Sequence, residues 1–228
     1  MTTIKTLIST VALFAASTGF AQSSNTCSWL PKGDDSQGVI GKRYAEAGFE
    51  VQDLQHTSHN AYGTGISANI PLIQGIDVGG SYQYSWYKPD PEDETIHDIN
   101  AYATFYKKLD DGVKPFVSAS LGYSWFKEKL ADGWLFNNGS NSYSIDTATW
   151  AMAVGAEFPF KWFAVTPTIS YRDDFKRSRE SSQSLDYGVE ASAWITSRIG
   201  ASLSVSYVSW QHSSDYTWIY GTGVRVRF

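Results

Sequence analysis

The chain has 228 residues, a net charge of −5 and a mean hydropathy of −0.29, which excludes a bundle of membrane-spanning helices and gives no basic surface for nucleic acid. Aromatic residues reach 15%, with 9 Trp and 14 Tyr, more than a soluble core requires, and the single cysteine, Cys27, excludes an internal disulfide. Chains in which lipid-facing and lumen-facing residues alternate show this combination, because the two sets cancel in an average while aromatics collect at both membrane interfaces.

Residues 1–21 carry Lys5, an apolar run over 7–16, and small residues at Gly19 and Ala21, the positions a signal peptidase reads. This predicts a cleaved secretory signal peptide, since a membrane-spanning helix needs about 20 apolar residues. Residues 22–40 are polar and aperiodic, and are expected to form a periplasmic lead-in without a fold of its own.

From 41 onward a period of two recurs, the signature of a strand with one apolar face. Segments 41–55 (Ala45, Ala47, Phe49, Val51), 61–72 (Tyr62, Ile66, Ala68, Ile70) and 76–88 (Ile76, Val78, Tyr82, Tyr84, Trp86) come first. Segments 97–109 (Ile99, Ala101, Ala103, Phe105) and 113–127 (Val117, Ala119, Leu121, Tyr123, Trp125) follow. Then come 147–158 (Trp150, Met152, Val154, Phe158), 163–175 (Val165, Ile169, Tyr171), 185–196 (Tyr187, Val189, Ile195) and 199–210 (Leu203, Val205, Tyr207). Pro167 sits within the seventh and should cost it a ladder hydrogen bond. The last strand alternates Trp218, Tyr220, Thr222, Val224, Val226 and Phe228 with Gly221, Gly223, Arg225 and Arg227.

Tight connections at 71–75, 110–112, 159–162 and 197–198 alternate with longer polar ones at 55–60, 89–95, 128–146, 172–184 and 211–216. The predicted fold is therefore all-β: a transmembrane antiparallel up-and-down β-barrel over 41–228, with ten strands, short turns in the periplasm and loops outside. An open sheet edge cannot persist in lipid, so the barrel must close. An even strand number places both termini in the periplasm; eight strands is the alternative if segments 41–55 and 61–72, or 163–175, are misread. No cofactor is called for, and the barrel is expected to be monomeric.

The polar face puts Glu46, Glu50, Asp77, Asp98, Glu157, Asp186 and Glu190 inward, together with Lys108, Lys114, Arg172, Arg225 and Arg227. Buried charges of both signs pair, because an unpaired ion in a low-dielectric interior is costly. Closure sets the last strand beside the first, so Arg225 and Arg227 are expected to meet Glu46 and Glu50 as lumen ion pairs. The many small inward residues (Ser118, Ser120, Gly122, Gly221 and Gly223 among them) leave open a narrow, cation-preferring pore, while ten strands exclude a wide one.

With Tyr220, Val224, Val226 and the terminal Phe228, the chain resembles the small outer-membrane β-barrel superfamily of Gram-negative-type bacteria, in particular its opacity-type and small-porin-like group. The resemblance covers 41–228 in architecture. It implies an outer-membrane location and a C-terminal signal, formed by those four residues, for the barrel-assembly machinery. It implies no particular activity, since adhesins, porins and barrel enzymes share this tail.

Function is expected at the outward loops. Trp134, Leu135 and Phe136 in the third either tuck into the barrel mouth or face an unknown surface ligand. Lys176, Arg177 and Arg179 in the fourth suit the phosphates of lipopolysaccharide, although Asp173, Asp174 and Glu180 compete for them. All four histidines (His56, His59, His97, His212) lie in or beside loops, but no recognisable catalytic or metal motif surrounds them. The sequence thus supports a structural, adhesion-type or narrow-pore protein, with a small porin and a rim enzyme as the competing readings.

Overall fold

In a computed structural model, the described residues are 37–54, 60–87, 93–110, 112–129, 142–175, 183–210 and 216–228. Ten strands run in chain order: β1 (Tyr44–Leu54), β2 (Ala61–Ile73), β3 (Ile76–Tyr87), β4 (Asp93–Tyr106), β5 (Lys114–Lys129), β6 (Ser142–Pro159), β7 (Ala164–Asp174), β8 (Ser184–Trp194), β9 (Ile199–Trp210) and β10 (Tyr216–Arg227). Each pairs antiparallel with its chain neighbours, and β1 pairs with β10 to close the barrel. Every strand therefore has two partners, and no edge is left to template a foreign chain. The signal peptide, most of the lead-in, and loop residues Trp134, Leu135, Phe136, Lys176, Arg177 and Arg179 lie outside the described residues.

Four tight turns gather at one end, here the near end, which also holds Gln37 and Phe228. Gly75 and Gly112 adopt φ of +84° and +86°, a conformation that L-residues with a Cβ avoid. Thr196 closes the β8–β9 turn by accepting the Arg198 and Ile199 amides on its hydroxyl, at 3.2 and 2.9 Å. At Pro167, which lacks an N–H, the β6–β7 ladder lapses between the Gly155–Thr168 and Phe158–Val165 pairs, then resumes in the same register.

Strand boundaries depart from expectation mainly at the far end. Strand β4 starts at Asp93 and stops at Tyr106, while β6 begins as early as Ser142, so the walls rise further than periodicity alone indicates. Lys108 is corrected by the same shift: it lies past the end of β4 and is exposed rather than lumenal. The parity of the remaining positions holds. Ile66, Leu121, Met152, Leu203 and Val224 stand outward at 52–65% exposure, as a lipid-facing wall requires and a soluble surface does not tolerate.

Aromatic side chains crowd the outward wall near its far end: Tyr62 and Trp86 stack at 6.0 Å, Tyr84 and Trp86 at 5.6 Å, and Tyr207 meets Trp218 edge-on at 5.1 Å. Phe160, Trp162, Phe163 and Phe228 form the counterpart at the near end. Two girdles flanking an apolar band are the outward profile of a membrane barrel.

Candidate functional site: the lumen and its two mouths

The lumen packs by a repeated device, in which a long inward side chain crosses a glycine on the adjacent strand to reach the strand beyond. Glu50 on β1 passes over Gly63 on β2, where a Cβ would come within 2.7 Å of it, and accepts from Gln83 Nε2 on β3 at 2.5 Å. Tyr102 covers Gly79 and donates its hydroxyl to the Ala68 carbonyl at 3.1 Å. Phe116 covers Gly155, and Glu46 covers Gly223 to reach the Ser202 hydroxyl at 2.7 Å. The small inward residues are thus footings for large neighbours, which narrow the lumen at those levels.

Charges in the lumen are buried and mostly paired. Arg225 is fully buried; its Nε donates to Glu46 at 2.9 Å and its Nη2 lies 2.8 Å from Glu190. Glu46 and Arg225 are register partners across the β1–β10 closure, so the seam holds an ion pair. The expected partner for Glu50 differs: its carboxylate accepts from Gln52 and Gln83 and meets no arginine. Arg227 is also corrected, since it sits at the strand end with its guanidinium 4.1 Å over the Trp194 ring instead of on a lumenal acid. Further toward the far end, Arg172 lies 3.8 Å from Asp98, and Ser124 donates to Asp98 while accepting from Arg172.

The near mouth is occupied by the chain itself. Residues 37–43, expected to be lead-in and strand start, turn across the opening: Lys42 N bonds Val39 O at 3.1 Å, with Gly41 at φ +96°. Val39, Ile40 and Lys42 are buried. Glu157 Oε2 accepts the Val39 and Ile40 amides at 2.6 and 2.8 Å, and its Oε1 accepts Lys114 Nζ at 2.9 Å. Lys114 also caps the Ile40 carbonyl, and Asn69 caps that of Lys42. Across the mouth, Trp194 donates its backbone N–H to Gln37 and its indole N–H to the Gly38 carbonyl. Ile40 packs against Phe116 and Tyr106.

The far mouth narrows on an apolar collar of Leu54, Ala61, Tyr87, Ile96 and Phe126, each at most 4% exposed. Periodicity alone does not single these out, since they share parity with lumenal Gln52, Ser85, Asp98 and Ser124. The signal was available as apolar residues on the polar face of five strand ends.

Of the four histidines, only His97 is described. It belongs to the outward girdle, stacked on Trp125 at 5.2 Å with the Tyr82 hydroxyl 2.8 Å from Nδ1. Among the described residues, no group of three His, Cys, Asp or Glu could hold a metal ion. Tyr220, Val224, Val226 and Phe228 all face outward, at 49–65% exposure.

No protein-family model matches the chain, and no curated protein sequence matches it. Among solved structures, Neisserial surface protein A is similar at 15% identity and a TM-score of 0.44, over 82% of this chain and 96% of that one. The KdgM porin, solved in complex with disordered oligogalacturonate, has 12% identity and a TM-score of 0.46, over 81% and 99%. Ail, the attachment invasion locus protein of Yersinia pestis, solved with the heparin analogue sucrose octasulfate, has 10% identity and a TM-score of 0.41, over 82% and 99%. The closed ten-stranded meander, its outward apolar band and its two aromatic girdles give this chain the fold of the small outer-membrane β-barrels.

Proposed function

We propose that the protein is a barrel closed to ion flow, which anchors its outward loops at the cell surface for contact with a partner, with both termini in the periplasm. One observation carries this reading: from the turn at the near mouth to the collar at the far mouth, the lumenal acids and bases are at most 9% exposed. A conducting lumen keeps its charged lining in water; here all of that lining is buried and most of it is paired or hydrogen-bonded.

Planar-bilayer recording of residues 22–228, refolded in detergent and shown to be heat-modifiable on a gel, tests it. Insertion without current is expected. Discrete, salt-dependent steps with cation preference would overturn the reading in favour of a narrow channel. That second reading draws on the excess of acids (Glu46, Glu50, Asp77, Asp98, Glu157, Asp186, Glu190) over Lys114, Arg172 and Arg225 in the lumen. For the loops, Lys176, Arg177 and Arg179 are assigned to lipopolysaccharide phosphates. Their joint replacement by alanine should reduce binding of the folded barrel to lipopolysaccharide, and unchanged binding removes that assignment.

A further inference from the structure

We propose that residues 37–43 form a displaceable plug, whose withdrawal opens the polar end of the lumen to the periplasm. The orientation rests on the reading above, in which the near end faces the periplasm.

The contacts distinguish a plug from a piece of wall. Ladder hydrogen bonds hold every strand on both sides, whereas residues 37–42 make a single bridge, at Gly41 next to β1, and are otherwise caught chiefly by side chains of β2, β5, β6 and β8. Those contacts address main-chain atoms: Glu157 takes two consecutive amides, while Lys114, Asn69 and Trp194 each donate to a carbonyl. At its C-terminal end Gly41 and the exposed Arg43 lead into β1, while Gln37 and Gly38 are tied across the mouth to Trp194 by hydrogen bonds alone, so the segment can swing about Gly41 without disturbing a strand pair.

The surface it would uncover is also unlike a core. Beneath the plug lie Lys114, Glu157, Asn69 and Asp77, with Phe116 and Tyr106 as the apolar contacts of Ile40. The Lys114–Glu157 pair keeps its 2.9 Å contact through Glu157 Oε1, while Oε2 alone serves the plug. Withdrawal therefore leaves this pair intact: water replaces two amides on an oxygen that has become wet. Removal of an apolar core element would instead expose a greasy hole. The energetic cost of opening falls in the range of local unfolding, well below that of dismantling the barrel.

Gly38 provides a point of control outside the wall. A Cβ there would sit 2.0 Å from Glu157 Oε1 and 2.4 Å from its Cδ, and the Glu157 carboxylate is pinned by Lys114 and two amides. Gly38→Ala should therefore expel the plug and leave all ten strands intact.

The test uses residues 22–228 with Cys27→Ser and a reporter thiol at Ser67→Cys, a buried position on β2 two residues from Asn69. The folded barrel in detergent is treated with a cationic, membrane-impermeant methanethiosulfonate, and the labelling rate is followed by mass. Labelling of the otherwise unaltered barrel should be slow. Gly38→Ala, and independently deletion of residues 22–40, should accelerate it by about tenfold or more, as expected when a rare local opening becomes the resting state. Arg43→Ala, an exposed change in the same segment, should leave the rate unchanged. Two results overturn the plug: a heat-modifiable Gly38→Ala or deletion barrel that labels at the original rate, or fast labelling before any plug change. If one of the two variants fails to fold, the other decides. Conductance separates this proposal from the previous one. Current through the unaltered chain defeats the closed-barrel reading, whereas a silent chain with unaccelerated labelling defeats only the plug.

Discussion

Arg225 on the last strand and Glu46 on the first face each other across the closure with 2.9 Å between Nε and Oε2, both shut away from solvent. The same guanidinium reaches Glu190 on β8, so one side chain ties β10 to strands on either side of it. Arg225→Ala would leave two buried carboxylates without their cation, a change that costs about 3–5 kcal/mol when a buried pair loses one partner. The urea midpoint of the variant in lipid should fall accordingly. The triple change Arg225→Met, Glu46→Gln, Glu190→Gln should recover much of the loss, since no charge is then stranded.

Phe228, just past the near end of β10, leaves 65% of its surface exposed. Its deletion should hardly alter refolding into detergent but should impair assembly in cells, seen as loss of the heat-modifiable band from the membrane fraction. Normal assembly would count against the C-terminal residues as a signal.

Glycines in the lumen differ in what a methyl would meet. At Gly79 it would lie 2.3 Å from the Tyr102 ring and 2.4 Å from the Ala68 backbone oxygen, which cannot move aside. At Gly188 the nearest atom is the Ser206 hydroxyl at 3.1 Å, which can rotate. Gly79→Ala should destabilise by about 1–3 kcal/mol, as overpacking does, and Gly188→Ala should stay within about 0.5 kcal/mol. Equal unfolding midpoints for the two would reject the bridging arrangement.

The two mouths should act in series. Phe126 is fully buried in the far collar, and its truncation to alanine removes a large apolar side chain at about 3–5 kcal/mol. Phe126→Ala alone should remain silent in a bilayer because the near mouth is still occupied. Combined with Gly38→Ala it should produce current steps, and steps from the collar variant alone would show that the near mouth does not seal.

Most of the wall was legible in the sequence because a period of two is a local property: Tyr82, Tyr84 and Trp86 announce their side of β3 without reference to any other strand. Lys108 was misplaced because parity says which way a residue points but not where a strand stops, and the β4 ladder ends at Tyr106. The turn at 39–42 was invisible for another reason. Its bonds run from backbone atoms to Glu157 and Lys114, more than 70 positions away, and backbone atoms leave no trace in residue identity. Arg227 shows the limit at a strand end: its register partner is Tyr44, well along β1 from Glu50, and its guanidinium lies over the Trp194 ring.

The seam pair has a consequence for how the barrel chooses its register. A slip of two residues between β1 and β10 moves the strands by about 7 Å yet keeps every apolar side chain facing lipid and every polar one facing the lumen. Hydrophobic patterning is therefore blind to it, and the glycine-rich stretch of β10 offers little steric resistance. Arg225 is not blind: a slip that carries it two positions to face Tyr44 sets Gly223 opposite Glu46 and leaves that acid buried without its cation, while Arg225 keeps only Glu190. The ion pair thus works as a parity-independent proofreader, rejecting mis-threaded closures that the lipid would accept.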